Sequence, residues 1–320
     1  MKKIVILGAT GSLGIQMLKV LEKYQDRAKV IGISAKRNFN LLRAQAKQYG
    51  VENTVLASEG GSVDQLACLP EADIVVNVLP GLAGVPPTLS ALNSGKLLLL
   101  GNKESLVAEG KSLDTSRIIS LDSEHNAIYE IIAANPKEKI KSITIPCSGG
   151  PFLNRENLND VTAEEALNHP KWKMGPKVSL ESATLINKGI EILEAHYLFN
   201  LPLEQIHAVI HPECQIHGIV EFEDRTLAYY AQPDMKEHLE NALCHALEIS
   251  PPRRDIHLFD PTQFQLTSPP HHRLPGIQIV LDNFQRSPGE MRKFLYKEEQ
   301  ALQKFLDGKI GFQEIFKLLK

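Results

Sequence analysis

The chain has 320 residues, 43% of them hydrophobic and 23% charged, with a formal net charge of −3. This length allows two or three domains, and the composition is that of a globular protein with a sizeable apolar core. The small net charge gives no reason to expect nucleic acid or a membrane surface as a partner.

The sequence predicts neither a leader nor a membrane segment. The basic start MKKIVILG contains an apolar run only from Ile4 to Leu7, which is too short for a signal peptide. No segment approaches the ~18 consecutive apolar residues of a membrane helix. The four cysteines lie far apart without a C-x-x-C pair, which argues against a zinc ribbon or a disulfide framework. We therefore expect a cytoplasmic protein.

The first predicted element is a buried strand that leads through a glycine-rich turn into a helix. The strand is KIVIL (3–7), the turn is GATGSLG (8–14), and IQMLKVLEKY then has helical spacing. In such a unit Gly8 allows the tight turn, Gly11 lets the backbone approach a pyrophosphate, and Gly14 permits close packing of helix on strand. The helix N-terminus presents N–H groups to the phosphates. The spacing is G-x-x-G-x-x-G, so the motif alone also fits a plain tight turn.

The second predicted strand, KVIGIS (29–34), helps to choose between these readings. Sites specific for NAD usually end this strand with an acidic residue that binds the ribose 2′-hydroxyl. Here the strand runs into Ala35, Lys36, Arg37 and Asn38. Two cations suit a 2′-phosphate, so NADP is favoured over NAD, with a solvated basic loop as the alternative.

Three further buried strands are predicted in DIVVNVLPG (73–81), KLLLLGNKES (96–105) and ISL (119–121). Strands that alternate with helices indicate a parallel, doubly wound sheet, whose ligand lies outside the carboxyl ends of the strands. Asn102, Lys103 and Glu104 are predicted at one such end, and the segment DSEHNA (122–127) at another.

The middle third begins with a strand and a small polar turn in KSITIPCSGGPF (141–152). Ser148 and the backbone of Gly149 and Gly150 form a combination that can bind an anion. The loop NHPKWKMGPK (168–177) then contains the only tryptophan of the chain. This residue is either a core side chain or part of a mobile lid over a ligand, and the sequence leaves both open.

The segment SATLINKGIEILEAHYLF (182–199) is predicted to form one helix. Its apolar side consists of Leu185, Ile186, Ile190, Leu193 and Leu198. Asn187, Lys188 and Glu191 are three or four residues apart and project from neighbouring positions. They form either a surface ion pair or a group that faces a ligand, and spacing does not choose between the two.

These motifs, in this order, resemble the 1-deoxy-D-xylulose 5-phosphate reductoisomerase family. The resemblance runs from residue 3 to about 235 and rests on GATGSLG, GNKESLV (101–107), LDSEHNAIYE (121–130), SGGPF (148–152), HPKWKMGPKVSLESATLINKGIEILEAHYLF (169–199), IHPECQIHGIVEF (210–222) and QPDM (232–235). It implies an oxidoreductase and isomerase that uses NADPH and a divalent cation, Mg²⁺ or Mn²⁺. The implied reaction converts 1-deoxy-D-xylulose 5-phosphate to 2-C-methyl-D-erythritol 4-phosphate in the non-mevalonate route to isoprenoids. It also implies a homodimer.

The resemblance further implies the site residues. The cofactor contacts are Thr10, Gly11, Ser12, Leu13, Lys36, Arg37, Asn38, Asn102, Glu104 and Gly175. The metal ligands are Asp122, Glu124 and Glu191. The substrate contacts are Lys103, Ser123, Glu124, Ser148, His169, Trp172, Met174, Ser182, Asn187, Lys188 and Glu191, of which Ser148, His169, Ser182, Asn187 and Lys188 gather around the phosphate and Trp172 and Met174 belong to the lid. The implied catalytic residues are Lys103, Asp122, Glu124, His169 and Glu191.

The chemistry agrees with this assignment. Rearrangement of the carbon skeleton develops negative charge on vicinal substrate oxygens, and a hard cation held by carboxylates can stabilise it. If residues 122–124 are extended, Asp122 and Glu124 point to the same side and both reach one cation. Hydride from NADPH then reduces the rearranged aldehyde, while lid closure excludes water. His125 lies outside the implied ligands, and we interpret it as structural.

The expected architecture is α/β, with four parts along the chain. They are an N-terminal Rossmann-like parallel sheet (1–121), an α+β catalytic domain (122–248) with a lid loop at 168–178, a linker (249–276) and a reduced C-terminal helical domain (277–320). The last third departs most from the family, since LYKEEQ (295–300) keeps only Glu299 of an Asn-Ala-Ala-Asn-Glu stretch. Glu181 also replaces a common aspartate.

Two other functions compete with this reading. A catalytically silent paralogue could keep the fold as a binding module, which the shortened C-terminal part suggests. Another Rossmann enzyme, such as a homoserine-dehydrogenase-like oxidoreductase, leaves DSEH, SGGPF and the lid unexplained.

Overall fold

The computed structural model describes residues 1–172, 174–252 and 264–320, which group into two compact units. The first unit contains Met1–Ser105, Lys111–Asn126 and a segment that begins at Asp234. The second contains Leu106–Gly110, Ala127–Pro233 and the C-terminal part of the chain. Residue 173 of the predicted lid and residues 253–263 of the predicted linker lie outside the described residues.

The described residues form the following strands and α-helices. The strands are β1 (Lys2–Leu7), β2 (Ala28–Ala35), β3 (Asn53–Leu56), β4 (Ile74–Asn77), β5 (Leu97–Leu100), β6 (Ile118–Ser120), β7 (Ile140–Cys147), β8 (Ile206–Ile210), β9 (Ile216–Phe222) and β10 (Thr226–Tyr230). The helices are α1 (Ser12–Leu21), α2 (Phe39–Tyr49), α3 (Val63–Ala67), α4 (Val85–Asn93), α5 (Lys103–Glu109), α6 (Ser123–Ala134), α7 (Ala163–Leu167), α8 (Pro176–Thr184), α9 (Ile186–Leu198), α10 (Met235–Ala246), α11 (Gly276–Arg286), α12 (Met291–Leu306) and α13 (Phe312–Leu319).

A six-stranded sheet organises the first unit. Its order is β3-β2-β1-β4-β5-β6, and all neighbours are parallel. The central strands are buried because helices cover both faces, which explains their nearly continuous Val, Ile and Leu content. The direction in which strands are added reverses between β1 and β4, and such a reversal is where doubly wound sheets bind ligands. The predicted Rossmann-like parallel sheet is confirmed.

Helix α10 completes the core of this first unit. It packs on α1, and its Leu239 and Leu243 are fully buried in the same apolar cluster as Met17 and Leu18. The expected catalytic domain (122–248) includes this helix, whereas its packing groups it with the parallel sheet. The predicted four-part division as a whole stays a prediction.

A four-stranded mixed sheet forms the centre of the second unit. Its order is β10-β9-β7-β8, with β7 and β8 parallel and the other neighbours antiparallel. Helix α9 packs against this sheet on one side and against α11 on the other. The second packing is close because Gly189 has no side chain, and a Cβ there would lie 2.8 Å from the Cβ of Val280. This unit therefore combines helices with a mixed sheet, and the bounds 122–248 of the expected catalytic domain stay a prediction.

The last two helices, α12 and α13, form an apolar cluster around Phe312 together with Phe152. The ring of Phe312 makes edge-on contacts with Phe152, Phe305 and Phe316, at centroid distances of 5.1, 5.7 and 5.6 Å. Such aromatic pairs bury large areas, so α12 and α13 are anchored to the second unit. The predicted helical C-terminal region is confirmed. Among the described residues, none of the helices is both long and apolar enough to cross a bilayer.

Two local predictions were wrong. Residues 182–199 do not form one helix, because Leu185 adopts a left-handed conformation (φ 59°) that ends α8 before α9 begins. Residues 122–124 are not extended, because α6 begins at Ser123 and the N–H of Asn126 already donates to the carbonyl of Asp122 at 2.9 Å. Strand alternation therefore does not aim Asp122 and Glu124 to one side.

Candidate functional site

The glycine-rich turn after β1 has the geometry of a dinucleotide-binding turn. Gly8 has φ 91°, and its carbonyl accepts the N–H of Gly11 at 2.9 Å. A Cβ on Gly14 would lie 2.3 Å from the oxygen of Gly8, so α1 can approach the turn only with glycine at this position. The tight turn and the close packing predicted from the sequence are confirmed. Thr10, Gly11, Ser12 and Leu13 form this turn and the start of α1, and their contact with a cofactor stays a prediction.

Two exposed cations follow the carboxyl end of β2. Lys36 and Arg37 are solvent-exposed, while the side-chain oxygen of Asn38 accepts the N–H of Leu41 at 3.2 Å and caps α2. An N-cap of this kind fixes where the helix starts and so where the two cations stand. Their charges are accessible to a 2′-phosphate.

The side chains of Asn102 and Glu104 hydrogen-bond to the backbone of the loop that follows β4. The amide of Asn102 donates to the carbonyls of Leu79 and Gly81, both at 2.8 Å, and is fully buried. The carboxylate of Glu104 accepts the N–H of Gly81 at 2.9 Å. Both side chains therefore order the backbone at the carboxyl end of β4, and a direct contact with the cofactor stays a prediction.

A buried lysine meets the carboxylate of Asp122 where β5 and β6 end, beside Ser123 and Glu124. Lys103 opens α5, and its Nζ forms an ion pair with Oδ2 of Asp122. The hydroxyl of Ser123 donates to the carboxylate of Glu124 at 2.5 Å. Lys103 and Ser123 are buried, so this group of four residues lies at the edge of the core. Parallel neighbouring strands bring the two segments together, as the sequence predicted.

A second buried charged group lies on α9. Glu191 accepts a hydrogen bond from the amide of Asn187 and forms an ion pair with Lys188. The ammonium of Lys188 also donates to the carbonyl of Pro146 at 2.7 Å, near the end of β7. The side chains of Lys188 and Glu191 are each 3% exposed, so the interpretation as a surface ion pair was wrong. Desolvated charges of this kind suit a site more than a solvated helix face.

The turn after β7 borders a cavity of about 980 Å³ within the second unit. Gly149 and Gly150 have φ 85° and 71°, which only glycine adopts easily. A Cβ on Gly150 would lie 2.8 Å from the carbonyl oxygen of Ser182, so α8 packs directly on this turn. Ser148, Gly150 and His169 line the cavity together with Arg155 and Lys171. Polar donors and cations make it suitable for an anion.

His169 is held as a neutral ring in this cavity wall. Its Nδ1 accepts the N–H groups of Lys171 and Trp172 at 3.2 and 3.0 Å, and its Nε2 lies 2.9 Å from the hydroxyl of Ser148. Because Nδ1 is an acceptor, the proton belongs on Nε2, which donates to Ser148. Burial lowers the pKa of His169 to about 4. The ring is therefore neutral near pH 7.

The predicted lid residues lie beside this cavity wall. Trp172 is half-buried, with its ring edge-on to His217 at a centroid distance of 6.3 Å, so it is not a core residue. Met174 is half-buried, and the exposed Gly175 directly precedes the first residue of α8. That this segment closes over a ligand stays a prediction.

Sequence reasoning missed the residues that hold the outer wall of the cavity. Arg273 donates to the carbonyls of Arg155 and Leu153, the latter at 2.7 Å. The side chain of Arg155 forms ion pairs with Asp160 at 3.0 Å and Glu165 at 2.7 Å. More than one hundred residues separate Arg273 from this wall, and no local pattern marks such a contact.

Comparison with known proteins gives consistent matches. The family described as 1-deoxy-D-xylulose 5-phosphate reductoisomerase matches residues 4–64 and 54–110, and the C-terminal domain of the same enzyme matches residues 118–199. A curated relative, the 1-deoxy-D-xylulose 5-phosphate reductoisomerase of Thermodesulfovibrio yellowstonii, is 37% identical over 353 aligned positions, which cover 100% of this chain and 91% of the relative.

Two solved structures are similar over nearly the whole chain. A DOX-P reductoisomerase in complex with NADPH, fosmidomycin and magnesium is 28% identical, with a TM-score of 0.90 and coverage of 100% of this chain and 88% of that one. The 1-deoxy-D-xylulose 5-phosphate reductoisomerase of Zymomonas mobilis in complex with NADPH is 31% identical, with a TM-score of 0.86 and coverage of 99% and 90%.

Proposed function

This chain belongs to the 1-deoxy-D-xylulose 5-phosphate reductoisomerase family, and from that premise we propose its reaction and the residues that bind the metal and the substrate. The chain converts 1-deoxy-D-xylulose 5-phosphate to 2-C-methyl-D-erythritol 4-phosphate with NADPH and a divalent cation. The similarity over the full chain carries this conclusion. It spans the nucleotide turn, the carboxylates and the anion cavity, and a Rossmann enzyme of another family would not require the last two.

Three carboxylates are the proposed ligands of the divalent cation. Asp122, Glu124 and Glu191 would hold it, since carboxylate oxygens are the ligands that Mg²⁺ and Mn²⁺ prefer. Asp122 and Glu191 each form an ion pair with a buried lysine, Lys103 and Lys188 respectively. When bound, the cation stabilises negative charge on substrate oxygens and NADPH supplies hydride.

The protein itself binds and orients the phosphate. The hydroxyl of Ser148 accepts hydrogen bonds from His169 and from the N–H of Gly150 at 3.1 Å. Its own proton is therefore directed to a further acceptor, for which a phosphate oxygen is suited. Ser182, Asn187 and Lys188 remain proposed phosphate contacts, with support from the packing of Ser182 against Gly150. Lys103 remains a proposed contact with substrate oxygens near Asp122.

One assay tests the proposed reaction. NADPH absorbance is followed with 1-deoxy-D-xylulose 5-phosphate and Mn²⁺, and EDTA is then added in excess of the metal. We expect turnover that EDTA abolishes. Absence of turnover with metal present would favour a silent paralogue, whereas turnover that EDTA does not change would reject the metal assignment alone. Glu191→Gln should lower turnover by orders of magnitude while NADPH still binds.

The oligomeric state and the compartment are proposed on the basis of the same family. We propose a homodimer that acts in the cytoplasm on a small sugar phosphate. Sedimentation velocity of the purified chain tests the first point, and a single species at the mass of a monomer would contradict it.

A further inference from the structure

A buried group of three charges lies on the side of α8 that faces α12. The Nζ of Lys177 forms an ion pair with Glu181, one turn further along α8, and a second with Glu298 of α12 at 3.3 Å. The side chain of Lys177 is 17% exposed, that of Glu181 2% and that of Glu298 0%. Lys177 and Glu181 follow the predicted lid, and Glu298 lies in the segment that departs most from the family.

Stability alone does not explain this arrangement. Transfer of two carboxylates and an ammonium out of water is costly, and replacement of such groups by apolar residues is often neutral or even stabilising. Buried charges do, however, require one geometry, because any other leaves a charge desolvated without its partner. Helix α8 needs such a constraint, since it is short and lies between the loop that ends at Gly175 and the left-handed Leu185.

The orientation of α8 matters for the anion cavity. Successive residues are rotated by about 100° around a helix axis, so Ser182 points well away from the side that carries Lys177 and Glu181. A different side of α8 therefore places Ser182 next to Gly150, where their closest approach is through the carbonyl of Ser182. A rotation of α8 on α12 would move Ser182 and the attachment point of the lid together.

We propose that Lys177, held between Glu181 and Glu298, is a positioning residue that fixes helix α8 on helix α12 and thereby places Ser182 and the base of the lid for phosphate binding. The kinetic part of this inference rests on the proposed function. The C-terminal helices then contribute to substrate affinity through a buried carboxylate, although they hold none of the proposed site residues.

The test compares Glu298→Gln, Glu298→Asp and the neutral triple variant Lys177→Met/Glu181→Gln/Glu298→Gln. The triple variant removes all three charges together, so none of the three is left facing a neutral partner, and its unfolding temperature, measured beside that of the wild type, shows whether it is folded. We expect KM for 1-deoxy-D-xylulose 5-phosphate to rise about tenfold or more in Glu298→Gln and in the triple variant. Glu298→Asp, which keeps the charge, should recover part of the affinity.

A second readout does not depend on activity. Trp172 is the only tryptophan of the chain, so acrylamide quenching of its fluorescence reports the lid directly. We expect stronger quenching in Glu298→Gln and in the triple variant. The matched control is Glu290→Gln/Lys293→Met, which removes an exposed ion pair (2.5 Å) at the start of α12 and should change neither KM nor quenching.

The outcomes separate the two proposals. Normal KM and normal quenching in a folded triple variant would overturn the positioning role, as would a change that follows the unfolding temperature alone. If the wild type shows no turnover, the proposed function fails, and the quenching comparison still decides whether the charges order the lid.

Discussion

At the scale of single residues, His169 shows how burial selects a protonation state. Its Nδ1 accepts two backbone N–H groups, from Lys171 and Trp172, and can do so only while it carries no proton. Burial lowers the pKa of the ring to about 4 and so keeps it neutral. The turn that begins the lid and the hydrogen bond to Ser148 therefore depend on the same neutral tautomer.

This state predicts a stability that depends on pH. The folded pKa of about 4 lies below the ordinary value of 6.5, so the unfolded chain binds more protons between these two values. The stability that the neutral His169 ring contributes is complete above pH 6.5 and is lost as the pH falls towards 4. It changes no further below that pH. The free energy of unfolding, measured with urea at pH 7, 6 and 5, should fall less steeply with decreasing pH in His169→Asn than in the wild type.

The control for this prediction is His272→Asn, since His272 is exposed. It should keep the slope of the wild type. An equal slope in His169→Asn and the wild type would contradict the assignment of a buried neutral ring. Binding of a phosphate dianion should oppose the effect, because a neighbouring negative charge favours the protonated imidazole.

At the scale of elements, the contact between α1 and the glycine turn sets the nucleotide site. We expect Gly14→Ala to destabilise the fold by about 1–3 kcal/mol, as overpacking does. The new Cβ would lie 2.3 Å from the oxygen of Gly8 and 2.7 Å from the Cα of Ala9, and backbone atoms cannot move aside without a shift of α1. NADPH affinity should fall together with stability. Urea unfolding and an NADPH titration measure the two effects.

Gly289→Ala is the matched control for the glycine turn. A Cβ on Gly289 would have no heavy atom within 4 Å, so this change should stay within about 0.5 kcal/mol. Normal NADPH binding by a folded Gly14→Ala variant would show that the close approach of helix and turn is not needed for the cofactor.

Elements of the first unit could be predicted from sequence because their signals are local. Short runs of β-branched and leucine residues, each followed by glycine or a polar turn, correspond to β1, β2, β4 and β5. The break at Leu185 could not be predicted, since leucine rarely adopts a positive φ and apolar spacing continues through it into α9. Apolar periodicity also predicts that α10 has a buried face, but it does not say which core that face joins.

The same limit applies to the candidate site. Motif order assigned its residues, and helical spacing correctly placed Asn187, Lys188 and Glu191 together. Burial of that group, and the contact of Lys177 with Glu298, depend on elements far apart in the chain. Tertiary packing determines such contacts, so local sequence patterns do not predict them.

At the scale of the whole molecule, cofactor binding and folding are linked. A ligand that binds only the folded chain raises the free energy of unfolding by about 2.7 kcal/mol at one hundred times its Kd. The apolar core of the first unit includes α10 as well as the strands that carry the nucleotide turn. Segments distant in sequence therefore unfold with the cofactor site, and thermal unfolding of the full chain reports cofactor affinity.

This linkage gives a test of cofactor choice. We expect NADPH to raise the unfolding temperature more than NADH at the same concentration, because Lys36 and Arg37 are exposed cations at the carboxyl end of β2 that can pair with the 2′-phosphate. Arg37→Ala should narrow the difference between the two cofactors by lowering the NADPH shift and leaving the NADH shift. Lys29→Ala is the control, since Lys29 is exposed near the amino end of the same strand and should change neither shift. Equal unfolding-temperature shifts with NADPH and NADH in the wild type would show that Lys36 and Arg37 form a solvated loop and do not bind the 2′-phosphate. An unchanged difference between the two cofactors in Arg37→Ala would show the same for Arg37.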